Sequence, residues 1–248
     1  MKRKHSLIIG GTRGTGRALV KLFLDSGNTV SVIGAKQPAE KDSAMERVKY
    51  WVCDVSDQKK LSGVLEEIIK VNGKINDLVF LQRYRGKDNA WEGEMATTVT
   101  ATMNIIEKMK DSFAEEGGKS IVFVSSVIGR FVADGQPVGY HAAKSAAEAM
   151  VRFYAVQLGP KGIRVNCVSP FTLLKEESKD FYVNNKDLMA LYRTIVPLGR
   201  IGTAEEVAKV IRFLCSDDAS FITGQNIIHD GGLSLKWQES LARSLKGI

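Results

Sequence analysis

Short runs rich in apolar and β-branched residues recur along this chain with room for a helix between most of them. They are Leu7 to Ile9, Thr29 to Ile33, Tyr50 to Cys53, Leu78 to Leu81, Ile121 to Val124, Arg164 to Val168 and Gln225 to Ile228. Ile121 to Val124, apolar at every position, predicts a strand covered on both faces, and the other short runs predict strands as well. The intervening segments follow the helical period. Ala18, Leu19, Leu22 and Phe23 mark one face of a helix from Arg17 to Leu24, which Gly27-Asn28 ends. Lys59 to Val71 and Met95 to Met109 repeat that spacing, and the alanine-rich Tyr140 to Leu158 is a strong helix former. Ala204 to Leu214 is a further helix, with Thr203 and Glu206 spaced as a capping box. Residues 171–197 predict an irregular stretch with short helical pieces. It follows the C-terminal end of a strand, where open α/β sheets bind ligands, so it is expected to serve as a lid. The tail to Ile248 is basic and amphipathic. Strand–helix alternation predicts the α/β class, a doubly wound Rossmann-like parallel sheet with helices on both faces. No repeat, low-complexity tract or linker interrupts it, so residues 1–248 are expected to form one domain.

Two stretches carry candidate chemistry. The first strand runs straight into Gly10-Gly11-Thr12-Arg13-Gly14-Thr15-Gly16, then a helix and a second strand. In that βαβ context a glycine turn lets backbone N–H groups approach a pyrophosphate, whose charge the helix N-terminus stabilises. NAD sites place an acid after the second strand to hold the ribose 2′-hydroxyl. Here that end reads Gly34-Ala35-Lys36, and Arg13 lies inside the turn. Two bases and no carboxylate favour a 2′-phosphate, so NADP is expected rather than NAD. In the second stretch, Ser125 and Ser126 stand where the run Ile121 to Val124 ends, and Tyr140 and Lys144 share a helix face at i and i+4. An ammonium beside a phenol favours the phenolate. With a serine hydroxyl to hold a substrate oxygen, the three form a proton-transfer site.

Composition narrows the partners. The net charge is +7, but the bases are spread without a Lys/Arg block, which argues for a solvated surface or a phosphorylated ligand over nucleic acid. Cys53, Cys167 and Cys215 are scattered and read as free thiols in a reducing compartment; His5, His141 and His229 are too far apart to suggest a metal site. The apolar run behind the basic N-terminus is too short for a signal peptide, and no stretch approaches the ~20 apolar residues of a membrane helix. A cytoplasmic location is expected.

Together these landmarks resemble the short-chain dehydrogenase/reductase family, of the type that includes 3-oxoacyl-acyl-carrier-protein reductases. The resemblance covers nearly the whole chain. Gly10, Gly14 and Gly16 occupy the glycine places of the family turn; Arg200-Ile-Gly-Thr-Ala-Glu-Glu, Ile222-Thr-Gly and Asp230-Gly-Gly are similar to its C-terminal signatures. The resemblance implies about seven strands, a homotetramer or homodimer, and catalysis by Ser126, Tyr140 and Lys144, with Thr98 where the family has a relay asparagine. It implies cofactor contacts from Gly10, Thr12, Arg13, Gly14, Thr15, Gly16, Ala35, Lys36, Asp54, Val55, Tyr140, Lys144, Pro170 and Leu173. Asp54 matches the acid that contacts adenine, and the segment ending at Pro170 the one that reaches the nicotinamide.

The chain departs from the family at three places. Phe80-Leu81-Gln82-Arg83 replaces Asn-Asn-Ala-Gly, Thr98 replaces the asparagine, and Phe171 follows Pro170 where glycine is usual. The link from Ser126 to Tyr140 is about one residue longer than the family's, which leaves Ser125 as the alternative serine. The expected activity is NADP-dependent reduction of a small-molecule carbonyl, or the reverse oxidation of an alcohol. The alternatives are a cofactor-binding sensor or partner with little turnover, and an epimerase or dehydrogenase of an anionic sugar, to which Arg83 and Arg85 point.

Overall fold

The structure, a computed structural model, describes residues 3–43, 45–86 and 88–247. Its main sheet contains β1 (His5–Ile9), β2 (Thr29–Gly34), β3 (Val48–Val52), β4 (Asp77–Phe80), β5 (Lys119–Val124), β6 (Ile163–Pro170) and β7 (Asn226–His229). All pair in parallel, in the order β3-β2-β1-β4-β5-β6-β7. The order reverses direction between β1 and β4, which opens a crevice at the carboxyl edge.

β1, β4 and β5 carry apolar residues at successive positions because both faces are covered. Along β1, Leu7 and Ile9 point into one core and Ile8 into the other, and all three are fully buried. The first core includes Leu61, Leu65 and Ile68 from the helix Gln58–Asn72 and Ala147, Val151 and Tyr154 from the helix Val138–Leu158. The second includes Leu19, Val20 and Phe23 from α1 (Gly14–Asp25) and Val207, Ile211 and Leu214 from Ala204–Cys215. That last helix begins with the predicted capping box: Thr203 Oγ1 accepts from the Glu206 N–H, and Glu206 accepts from the Thr203 N–H. At the amino edge, Asp77 is buried and accepts from Ser6 Oγ at 2.8 Å and Ser120 Oγ at 2.9 Å, joining three strands.

Two elements differ from the sequence expectation. The helix expected from Met95 begins at Ala90 and carries a π-helical turn over Met95–Thr100 before continuing as Ala101–Met109. Glu92, Gly93 and Glu94 lack an apolar period, which hides its first turn. Within 171–197 lie a short 3₁₀ turn, Glu176–Ser178, and the helices Lys179–Asn184 and Lys186–Ile195. A two-residue parallel pair, Leu173–Leu174 with Gly202–Thr203, ties the two ends of that excursion together. Among the described residues no helix is long and apolar enough to cross a membrane.

Candidate active site

The predicted residues gather at the carboxyl edge. Gly10, just after β1, has φ 91°, a conformation open to glycine. A Cβ on Gly16 would run into the Gly10 carbonyl oxygen and stand 2.8 Å from Gly11 Cα, so the turn closes only without side chains. Thr12 packs on Gly34, which brings the end of β2 beside the turn; Thr15 is buried, while Arg13, Ala35 and Lys36 are exposed. Asp54 is exposed after β3, one of its oxygens accepting from the Ser56 N–H and O–H at 2.9 and 2.8 Å, and Val55 is buried behind it. Pro170 ends β6, and Leu173 is buried where the lid begins.

An anion already occupies the start of α1. The Gly14 N–H donates to Glu177 Oε1 at 3.1 Å. Arg17, one turn on, pairs with Glu176 at 2.5 Å, Glu177 at 3.5 Å and Asp42 at 3.0 Å. A carboxylate on the first N–H of a helix is what its dipole favours. The same donors therefore suit the phosphates of a dinucleotide.

Deeper in the crevice three elements meet around Tyr140. β5 delivers Ser125 and Ser126, both buried. Ser125 Oγ donates to the Lys144 carbonyl at 3.0 Å and is committed to the helix backbone. Ser126 instead lies on the Tyr140 side, its Oγ donating to the Pro170 carbonyl at 3.4 Å and accepting from the Ile128 N–H at 3.3 Å. This geometry separates the two serines, which spacing alone left open. Lys144 Nζ is 5.6 Å from the centre of the Tyr140 ring and donates to the Val124 carbonyl at 2.9 Å. The guanidinium carbon of Arg83 is 5.2 Å from the same centre.

Burial raises the Tyr140 phenol above its ordinary value. The Arg83 charge and hydrogen bonds from Ser126 and Arg83 oppose this, and Glu94 adds to it. Burial pushes Lys144 down to about 8, with Glu94 pulling the other way and Arg83 adding to the fall.

Glu94 escaped the sequence reading. It is 3 % exposed on the helix beginning at Ala90, and its Oε2 accepts from Thr98 Oγ1 at 2.7 Å. Thr98 thus commits its hydroxyl proton to Glu94. Thr98 and the next residues lie in the π turn; such turns recur at functional sites. The helix approaches Tyr140 closely because the neighbouring residue is glycine: a Cβ on Gly139 would lie 2.8 Å from Trp91 Cα. A carboxylate four residues before Thr98, within a helix, was the available signal. Glu177 and Lys175 gave none, because nothing in the sequence relates the lid to the glycine turn.

Comparisons with known proteins identify the family. The family model described as "Enoyl-(Acyl carrier protein) reductase" matches residues 10–234. The 3-oxoacyl-(acyl-carrier-protein) reductase of Thermotoga maritima is 32% identical over 249 residues, covering 94% of this chain and 98% of the relative. The 3alpha-hydroxysteroid dehydrogenase of Mediterraneibacter gnavus is 30% identical, covering 93% and 97%. Among solved structures, a short chain dehydrogenase family protein from Francisella tularensis superimposes with a TM-score of 0.80 at 26% identity, over 95% of this chain and 100% of that one.

Proposed function

The chain belongs to the short-chain dehydrogenase/reductase family, an oxidoreductase family, and from that premise we propose that it is an NADP-dependent carbonyl reductase working through Ser126, Tyr140 and Lys144. The observation that carries the reading is the gathering of Ser126, Tyr140 and Lys144, whose Nζ is 5.6 Å from the Tyr140 ring centre, beside a glycine turn that suits phosphate. The bound dinucleotide supplies the hydride. Ser126 donates a hydrogen bond to the substrate carbonyl oxygen, and Tyr140 gives its proton to that oxygen as negative charge develops there. The phenolate left behind is stabilised by Lys144 and Arg83. Lys144 returns the proton and is itself reprotonated from solvent, while the Glu94 carboxylate, held by Thr98, stabilises the ammonium in the place of the family's asparagine.

Gly10, Thr12, Gly14, Thr15 and Gly16 are assigned to the pyrophosphate, and Arg13, Ala35 and Lys36 to the ribose 2′-phosphate. Asp54 and Val55 take the adenine, and Pro170 and Leu173 flank the nicotinamide. The buried free thiols Cys53, Cys167 and Cys215 support a reducing, cytoplasmic setting. Exposed Phe153 and Val156 on the helix Val138–Leu158, and fully exposed Phe221, support assembly with copies of the chain.

Titration with NADPH and NADH, followed by nicotinamide fluorescence, tests the cofactor. Tight NADPH and weak NADH binding is expected, and the reverse preference removes the Arg13/Lys36 argument. Tyr140→Phe is expected to abolish ketone turnover while retaining NADPH binding; normal turnover sinks the mechanism. A second reading, a cofactor-binding protein with little turnover, is favoured by one observation: Arg83 replaces the small glycine-ended turn beside Tyr140. Binding of NADPH without oxidation across a ketone panel would select it.

A further inference from the structure

The crevice is unusually rich in cations for a site that must also admit a carbonyl. Arg83 reaches the Tyr140 ring from the segment after β4, and its Nε makes a long hydrogen bond to the Tyr84 carbonyl, 3.5 Å. Lys175 comes from the lid and lies over the glycine turn, where a Cβ on Gly14 would be 3.2 Å from its Cδ. Arg85, two residues on from Arg83, is exposed and feels the Arg83 charge. Partial burial lowers its pKa and the charges of Arg83 and Arg13 lower it further, with Glu177 opposing. Lys175 is lowered by burial, then by Arg85 and Arg83, again against Glu177. Like charges held this close are unfavourable unless an anion joins them.

The nearby lid carboxylates do not fill that role. Glu176 and Glu177 are drawn to Arg17 and the start of α1. Among the described residues no carboxylate forms an ion pair with Arg83, Arg85 or Lys175. Arg83 is thus a guanidinium fork with free donors, directed at the atoms where a substrate carbonyl would be reduced. Such a fork matches a carboxylate or phosphate bidentately.

The geometry points to a substrate that carries an anionic group, a carboxylate or a phosphate, close to the reacting carbonyl, held by Arg83, with the charges of Arg85 and Lys175 adding to the positive field. This deepens the reductase reading and rests on it for the position of the carbonyl. It makes Arg83 a specificity residue that also faces the phenol.

The test uses matched pairs. A 3-oxo acid is compared with its methyl ester, and dihydroxyacetone phosphate with dihydroxyacetone. Binding to the NADP-loaded protein is measured by calorimetry and turnover by NADPH oxidation. One member of a pair, acid or phosphate, is expected to bind about 100-fold more tightly than its neutral partner, the range of a good charge-assisted contact. Which pair shows this distinguishes carboxylate from phosphate. Arg83→Gln is expected to erase the preference while changing NADPH affinity less than about threefold, and Arg83→Lys to restore part of it. Equal binding of charged and neutral partners overturns the proposal, whatever the turnover. So does an Arg83→Gln variant that loses NADPH affinity and keeps the acid preference, since the cluster would then serve the cofactor. If the anion binds through Arg83 but no ketone is turned over, the anion site stands and the reductase reading falls.

Discussion

Replacing Lys144 by Met should make the cofactor-free protein more stable at neutral pH and catalytically dead. Lys144 is 4 % exposed, and burial holds its pKa at about 8, below the ordinary 10.5. Charging it inside the fold therefore costs about 3 kcal/mol relative to the unfolded chain at any pH below about 8. Methionine keeps the length and removes the charge. It also leaves the Val124 carbonyl without its 2.9 Å donor, a loss of about 1 kcal/mol. The net expectation at pH 7 is a gain of about 2 kcal/mol, or about 4–8 °C in Tm for a chain of this size. The sign reverses with pH. Between about 8 and 10.5 the folded wild type has released the proton and the unfolded chain has not, so wild-type stability climbs through that window. By pH ~10.5 the advantage of the variant should have vanished, leaving only the lost hydrogen bond. Thermal unfolding of both proteins at pH 7 and 10.5, beside an NADPH oxidation assay, reads all of this. A variant less stable than wild type at pH 7, or a difference that does not change with pH, would refute the burial argument.

Other expectations follow from the same geometry. The kcat/KM for ketone reduction should fall above about pH 8, where Lys144 loses its proton, and a flat profile from pH 7 to 9 would count against its role. Glu94→Gln should lower kcat about tenfold with NADPH affinity unchanged and move that alkaline limb to lower pH, because the Glu94 charge raises Lys144; an unmoved limb removes Glu94 from this role. Gly16→Ala should abolish NADPH binding, since the new Cβ strikes the Gly10 carbonyl; fluorescence titration checks it. Asp77, raised to about 6 by burial against hydrogen bonds from Ser6 and Ser120, stabilises the fold in acid and loses that contribution as pH rises through about 6. Asp77→Asn should raise stability at pH 7.5 by up to about 2–3 kcal/mol and little at pH 4; urea unfolding at both values decides.

Much of this architecture is legible in the sequence because both of its main signals are local. β1, β4 and β5 contain short runs apolar at successive positions, bounded by glycine or polar residues, and their shortness separates them from buried helix. The glycine turn announces itself because Gly10 and Gly16 must touch backbone to backbone. What stayed hidden depends on contacts distant in sequence. Ser125 and Ser126 are neighbours of the same type, and only the helix packed over β5 decides which hydroxyl turns to Tyr140. Glu94 looks like a surface acid until the π turn and Gly139 bring its helix onto the crevice. Arg83 and Lys175 are 92 positions apart in numbering, so their shared electrostatics cannot be read along the chain.

The contact between the lid and α1 bears on the order of events. On the proposed cofactor placement, Glu177 and a dinucleotide phosphate are rivals for one donor, the Gly14 N–H. Entry of the cofactor is then an exchange of anions, in which Arg17 keeps the displaced glutamates within reach. Lys175 is two residues from Glu177 on the same backbone, so a lid that releases the turn also shifts Lys175. Cofactor loading would thereby set the second pocket, and the partners would be taken up in sequence, dinucleotide before ketone.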